Sequence, residues 1–482
     1  MFTEAMTYLQ TAGNNYVLTS FVFLRLLGFV YFIAFISLAT QVLPLIGEKG
    51  LTPAKSILVT SSKLHAFFSS PTIFWFHLSD NALLIGAWLG IILSFIVMVG
   101  YANVPILLVL WLLYMSYVTI GQLWYSFGWE LQLLETGFLS MFLVPLLDVD
   151  QAYAPPIIVV WLFRWLAFRI YLGAGLIKIR GDSCWRDLTC LYYHYETQPL
   201  PNPLSRWLHF MPKWFHQAGV LFNHFVELIV PWFVFAPVRQ LAGFLMIFFQ
   251  GILMTSGNLS FLNVLTILPC IFYFDDDTIR LWASWMPKEM SRIETSFFAS
   301  YLTIGLLLFI AYLSVPVIIN LLSSRQIMNT SFTNFHLVNT YGAFGSIGKE
   351  RYELIIEGTT DAKITSRTKW TPYDFKAKPG DVDRSLPIIA PYQPRLDWQI
   401  WFAAMGGPEY SPWVLLFIHK LLENDEGTLS LLANNPFSEK PPRYIRVQHY
   451  KYHFIPPWKK GVWEREYIGT WLPPLSKKEL YK

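Results

Sequence analysis

An apolar run at Ile157–Ile179, long enough to cross a bilayer, carries Arg164, Arg169 and Lys178 inside it. An isolated segment in hydrocarbon satisfies its own backbone only as a helix. Each cation at bilayer depth costs about 2.5–3.5 kcal/mol on insertion scales, so it faces a partner, a cavity or the interface. Three such cations on one helix require partners from other helices, and the chain must fold as a bundle around this segment. Arg25, Glu130, Glu135, His224 and Glu227 also fall in apolar surroundings. Glu135 and Glu227 are the natural partners for Arg164 and Arg169, because pairing removes most of the burial penalty.

Composition agrees. The 482 residues are 54% hydrophobic and only 14% charged, with a mean hydropathy of +0.40, whereas soluble domains carry about 25% charge. No acidic or basic residue occurs between Ala82 and Trp129. Segments of about 20 apolar residues, the length a hydrocarbon core requires, recur at Tyr16–Leu43, Ala82–Tyr101, Val104–Leu123, Leu131–Leu147, Ile157–Ile179, Gly219–Phe235, Ala242–Phe274 (readable as a broken pair) and Phe297–Leu322. The fold expected over residues 1–322 is an α-helical polytopic membrane bundle of about eight spans, with a polar loop at 180–218. The first run is too long for a cleavable signal peptide and reads as a signal anchor. A net charge of +4 without a basic run argues against a nucleic-acid partner.

More than half of the charged residues follow Leu322. Tyr352–Gly358, Lys369–Ala377 and Arg443–Ile455 are rich in β-branched and aromatic residues and are separated by Pro and Gly, as strands are. Trp398–Met405 and Trp413–Glu423 carry helical periodicity. Residues 323–482 are expected to form a soluble C-terminal domain, mixed and β-rich. Arg395 and Asp397 read as a surface pair there.

Chemistry-bearing residues concentrate in the polar loop, which holds Asp182, Cys184, Trp185, Arg186, Cys190 and His194. Its aromatic residues fit an interfacial belt, and Trp, Tyr and Arg are also the types that partner-binding surfaces favour. Cys184 and Cys190 are either a bridge, if the loop faces an oxidising compartment, or two free thiols. Asn223-His224-x-x-Glu227 places a His and a Glu one turn apart, a pattern of some metal sites, but a hydrogen-bonded histidine is the expectation and no metal or cofactor is assigned. No GxSxG, HExxH, phosphate-loop or nucleotide fingerprint is present, so neither an enzyme nor a small-molecule substrate is expected. Asn258-Leu-Ser and Asn329-Thr-Ser are glycosylation sequons.

The runs GAGLIKIRGDSCW (Gly173–Trp185), TCLYYHYETQPLPNPLSRW (Thr189–Trp207) and FNHFVELIVPW (Phe222–Trp232) resemble the lipase maturation factor family of the endoplasmic reticulum membrane. GWELQLLETGFL (Gly128–Leu139), NTYGAFGSI (Asn339–Ile347), RLDWQIWFAA (Arg395–Ala404), LLANNPF (Leu431–Phe437) and IGTWLPPLS (Ile468–Ser476) extend the resemblance over nearly the whole chain. It implies a membrane-bound helper that brings secreted lipases of the lipoprotein lipase type to their active form, with a lumenal C-terminal domain. A microbial source would place the chain in the cytoplasmic membrane instead. The expected partners are lipase clients and membrane lipid. Candidate client-binding or functional residues are Arg164, Arg169, Lys178, Asp182, Cys184, Trp185, Arg186, Glu135, His224, Glu227, Asn339, Tyr341, Phe344, Asp397, Trp398 and Trp401. The alternative is a membrane enzyme sharing the general plan of vitamin K-dependent carboxylase relatives, with Lys178 or His224 as an intramembrane base.

Overall fold

A single apolar core runs from the first long helix into the C-terminal sheet, joining Phe23, Tyr31 and Phe163 to Trp398, Phe417 and Ile356. The computed structural model that shows this describes residues 2–58, 63–149, 152–282, 292–293 and 296–480. The longer helices of the first part, Phe2–Thr11 apart, are α1 (Val17–Ala39), α2 (Asp80–Val99), α3 (Val104–Ile120), α4 (Gly128–Ser140), α5 (Ile157–Gly181), α6 (Lys213–His224), α7 (Arg239–Ser256), α8 (Leu262–Ile271) and α9 (Phe297–Leu322).

Among the described residues, five helical stretches are long and apolar enough to cross a membrane: Tyr8–Ala39, Asp80–Val99, Ile157–Gly181, Lys213–Phe235 and Phe298–Leu322. The helix starts follow local chemistry. Ser79 accepts from the Ala82 amide at 3.2 Å and Asn103 from the Ile106 amide at 3.0 Å, so each satisfies a first-turn donor that the helix leaves open. The long helix beginning with α6 changes pitch at Phe225–Ile229, where it makes a π-helical turn, and tightens over Val230–Phe235. Pro231 lacks the amide that would bond the Glu227 carbonyl, which accounts for the change.

One expected span is corrected in form, and another takes the broken form expected of it. Leu131–Leu147 is not a continuous helix: α4 ends at Ser140, followed by the short turn Met141–Leu143. Thirteen residues fall short of a hydrocarbon core, and the carboxylates of Glu130 and Glu135 need protein partners. Ala242–Phe274 is a broken pair, α7 and α8, separated at Gly257–Phe261.

The C-terminal part is mixed. Its antiparallel sheet contains β1 (Arg351–Thr359), β2 (Thr371–Pro372), β3 (Tyr444–Phe454) and β4 (Trp463–Leu475) in the order β2-β1-β3-β4. Arg351 lies opposite Tyr452, and Tyr452 opposite Arg465. Helices α10 (Arg395–Ala403) and α11 (Trp413–Leu422) pack beside it. Lys369–Ala377 yields only the two residues of β2, since Pro372 cannot donate to a ladder. Strand β4 is an element that its charges and Pro473–Pro474 concealed.

The segment Asn339–Ile347 joins the two parts by lying directly along α5. A Cβ on Gly173 would stand 2.5 Å from the Tyr341 carbonyl oxygen, and one on Gly181 would stand 2.5 Å from that of Gly345. Only glycine permits this approach. Gly173→Val should therefore lower the melting temperature of the detergent-purified chain, by about 1–3 kcal/mol of stability as overpacked substitutions do. An unchanged melting temperature would show that the segment does not rest on α5.

Candidate functional site

Charged residues of α4, α5 and the π-helical turn after α6 form two buried clusters. In the first, Glu135 is 1% exposed and pairs with Arg169, also 1% exposed. The second Glu135 oxygen accepts the Asn339 amide at 3.0 Å, the Asn339 side chain at 3.1 Å and the Tyr341 hydroxyl at 2.7 Å. Arg169 also donates to the Asn339 carbonyl at 2.9 Å. One carboxylate thus ties α4, α5 and the 339–341 segment together. A carboxylate with this many donors is adequately compensated in a low-dielectric interior.

The second cluster sits a few turns further along α5. The Lys178 ammonium reaches both Glu227 oxygens, at 2.6 and 2.8 Å, and Asn223 Oδ1 at 2.9 Å. Asn223 in turn donates to Glu227 at 2.8 Å. The Trp185 ring lies 5.0 Å from Lys178 Nζ, a favourable cation–π distance. Glu227 therefore serves Lys178 and not an arginine, as the sequence had suggested. Arg164 uses the Phe272 carbonyl at 2.9 Å and the Tyr16 hydroxyl at 2.7 Å.

The polar loop is fastened over this cluster. Cys184 and Cys190 form a disulfide. The Trp185 indole donates to the Phe344 carbonyl at 2.9 Å, and Asp182 accepts the Cys184 amide at 3.0 Å and the Ile347 amide at 3.3 Å. His224 bonds the Trp185 carbonyl at 3.0 Å, while Glu227 turns to Lys178. The His224/Glu227 pair thus has no shared ligand. Among the described residues, no group of three His, Cys, Asp or Glu side chains is placed to hold a metal. Arg186 is exposed and donates to the Ile179 carbonyl at 2.8 Å.

Residues of the C-terminal part complete the same assembly from the other side. Arg395 and Asp397 are each fully buried and do not form the surface pair expected of them. Arg395 pairs with Glu130 at 2.8 Å, and Tyr114 donates to the same carboxylate. Asp397 accepts the Ala377 and Lys378 amides at 2.6 and 2.9 Å, and burial pushes its carboxyl up from the usual range. The Trp398 ring meets Trp129 edge-on at 5.2 Å, and Trp401 donates to the Thr197 carbonyl at 3.2 Å.

Sequence reasoning missed the cluster Arg351–Glu353–Lys378. Glu353 pairs with Arg351 at 2.6 Å and Lys378 at 2.9 Å, and Arg351 also donates to the loop carbonyls of Glu196 and Pro199 at 2.9 and 3.0 Å. The signal was the alternation in RYELIIEG, which puts Arg351 and Glu353 on one face of a strand.

Glu135, Arg169, Asn339, Tyr341, Asp397 and Trp398 are all interior. They hold the two parts in register and present no surface. Between the parts lies a cavity of about 910 Å³, lined by α5, α6, α7, the polar loop, the 341–352 segment and α10.

A membrane-embedded helical bundle whose ionic interior is completed by a docked C-terminal domain, with a disulfide-tied loop at the seam, is thus the class that fold and site define. Residues 18–281 match the family model described as lipase maturation factor transmembrane domain, and residues 337–473 match the lipase maturation factor C-terminal domain. The chain belongs to the lipase maturation factor family. It is 46% identical to human lipase maturation factor 1 over 97% of this chain and 89% of that protein. It is 47% identical to the mouse lipase maturation factor 1 over 97% of this chain and 88% of that protein. Rat lipase maturation factor 2 is 28% identical over 94% of this chain and 82% of that protein. No solved structure matches.

Two outcomes follow from the geometry. Glu135→Ala leaves the Arg169 guanidinium buried without a carboxylate and should cost about 3–5 kcal/mol. The double variant with Arg169→Met should recover part of that loss, read by thermal unfolding. A double-variant loss equal to the sum of the two single-variant losses would mean the pair is not coupled.

The second outcome concerns pH. Burial, with Lys178 nearby, lowers the His194 pKa from 6.5 to about 4, and burial lowers that of His336 to about 4. Both are neutral when folded, and the unfolded chain binds more protons between the two values, so stability rises with pH there. The contribution is fully present above 6.5 and is lost as pH falls toward 4. His194→Gln should flatten the melting-temperature profile across that window; an unaltered slope would show that His194 stays solvated.

Proposed function

We propose that this chain is a maturation factor, a membrane-bound helper for the folding and assembly of secreted lipases of the lipoprotein lipase type. The observation that carries the reading is the agreement with lipase maturation factor 1 across bundle and C-terminal part in one alignment. The compartment is the endoplasmic reticulum membrane, with α3 and the α7–α8 pair completing the spans and the C-terminal part in the lumen. The Cys184–Cys190 disulfide supports that side, since disulfides persist in oxidising compartments. Trp185 and Asp182 bond Phe344 and Ile347, so the disulfide loop and the C-terminal part share one face of the membrane.

Residues 1–322 act as the anchor and 323–482 as the client-facing unit. The buried candidates around Glu135 and Asp397 position that unit, and the client meets exposed apolar groups such as Phe402, Met405, Tyr410 and Trp458. Exposed aromatic side chains with a polar rim suit a partner surface. Sequon Asn258 is 1% exposed and its amide is committed to backbone carbonyls, so in the folded chain it is not a glycan acceptor.

The enzyme reading requires an unengaged intramembrane base. Lys178 is held by both oxygens of Glu227 and by Asn223, which weighs against it. Expression in secretory cells that lack their own maturation factor should restore secreted lipoprotein lipase activity per mass of lipase. The double substitution Lys178→Met with Glu227→Gln removes the base without stranding a charge, and it should retain rescue within about two-fold, less than the loss expected for a removed general base. Absence of rescue by a correctly inserted wild-type chain would overturn the client assignment, and loss confined to the double variant would favour an enzyme.

A further inference from the structure

The cavity at the seam carries a second role. Its volume, about 910 Å³, lies toward the upper end of the range of small-molecule sites, about 300–1,000 Å³. Most of the wall is apolar, from residues such as Ile170, Ala174, Phe222, Phe249 and Leu253. Ala218 of α6 and Ile252 of α7 line it and are also exposed. On the neighbouring turns of these helices, Leu221, Phe225 and Phe248 are bare apolar side chains. The cavity thus opens sideways between two helices whose outer faces suit hydrocarbon. It also opens at Phe402 and Met405 of the C-terminal part, both exposed.

The polar groups in the wall specify the head of the occupant. The charged ones are already neutralised. Lys178 is paired with Glu227, Arg351 with Glu353, and Glu350 with Lys451. An anionic headgroup would find no uncommitted cation, and burying it unpaired is unfavourable. The remaining polar groups of the wall are neutral, and five of them, from four helices, form a hydrogen-bonded row: Gln132, Tyr171, Gln250, Asn263 and Thr266. Gln250 donates to the Tyr171 hydroxyl at 3.0 Å, Asn263 donates to Gln250 at 2.9 Å, and Gln132 donates to Thr266 at 3.2 Å. Each amide has two donor hydrogens and two acceptor lone pairs, and these bonds leave part of that capacity open. A row of this kind matches a head with several uncharged oxygens, such as ester and hydroxyl groups, better than the lone hydroxyl of a sterol.

We infer that the seam cavity is a binding site for a neutral acylglycerol, which enters from the bilayer between α6 and α7 and places its ester and hydroxyl oxygens against Gln132, Gln250 and Asn263. The site is independent of whichever client the C-terminal part holds.

The test uses the full chain in phosphatidylcholine nanodiscs with a monoacylglycerol bearing a diazirine on its acyl chain. Light should label peptides of α5, α6 and α7, and excess unlabelled monoacylglycerol should suppress the labelling. Ala218→Trp with Ile252→Trp, both at exposed positions, narrows the lateral opening and should reduce labelling by about ten-fold or more, equivalent to a ten-fold change in occupancy, with the melting temperature unchanged. Competition on the wild-type chain keeps the test decisive if the double variant is unstable. Equal suppression by cholesterol or by phosphatidylserine would overturn the assignment of a neutral acylglycerol. Undiminished labelling in a stable double variant would overturn the site.

Discussion

The Glu135 carboxylate is the constraint on which the arrangement depends. It lies on α4, a helix too short to span a bilayer, and it accepts from Arg169, Tyr341 and both nitrogens of Asn339. Stripped of those partners it would be an unpaired charge in an apolar bundle, a cost of several kcal/mol. The helix therefore cannot settle until α5 and the 339–341 segment have closed on it. Glu130 repeats the logic five residues earlier. At 3.6 residues per turn the two side chains leave α4 on widely separated faces. One faces Arg169 and the connecting segment, the other Arg395 and the docked domain. A single short helix thus fixes both the bundle and the orientation of what is attached to it.

Much of this was legible in the sequence because hydropathy is a long-range signal. Apart from Leu131–Leu147 and the broken Ala242–Phe274, the long apolar runs became helices within a few residues of where composition put them, and Val104 and Phe297 are helix starts in both readings. Strands β1 and β3 followed from their β-branched and aromatic content. The need of Arg169 for a carboxylate was also legible, and Glu135 is that carboxylate.

Pairing over long sequence distances was not legible. Arg395 and Asp397 are two residues apart and of opposite sign, so proximity in sequence suggested a surface pair. Two residues apart on a helix they point in different directions, and each found a partner elsewhere: Glu130 for one, the amides of Ala377 and Lys378 for the other. Glu227 was similarly open. It meets Lys178 and not an arginine, and it lies in the π-helical turn at Phe225–Ile229, a local irregularity that Pro231 permits but whose position no periodicity announces. Strand β4 was hidden because a hairpin partner needs only ladder geometry from its backbone, and its charged residues, Glu464, Arg465 and Glu466, are exposed.

The docking also bears on what a folding helper needs. A domain on a flexible tether would present its apolar groups at every angle to the membrane, including toward its own bundle and toward lipid. Here Arg395–Glu130, Arg351 on the loop carbonyls, Trp401 on Thr197 and the Phe344–Trp185 bond hold the domain at several separated points. Those contacts come from α10, β1 and the 339–347 segment, so no single hinge remains between the parts. The exposed residues Phe402 and Met405 then keep a fixed position at the mouth of the seam cavity. Under the proposed function, a client captured there would meet a surface of constant shape, and the ordering cost of binding would fall on the incoming chain alone. The buried ion pairs contribute little net stability by themselves; their effect is to favour the relative orientation of bundle and domain in which Arg395 meets Glu130 and Arg351 meets the loop carbonyls.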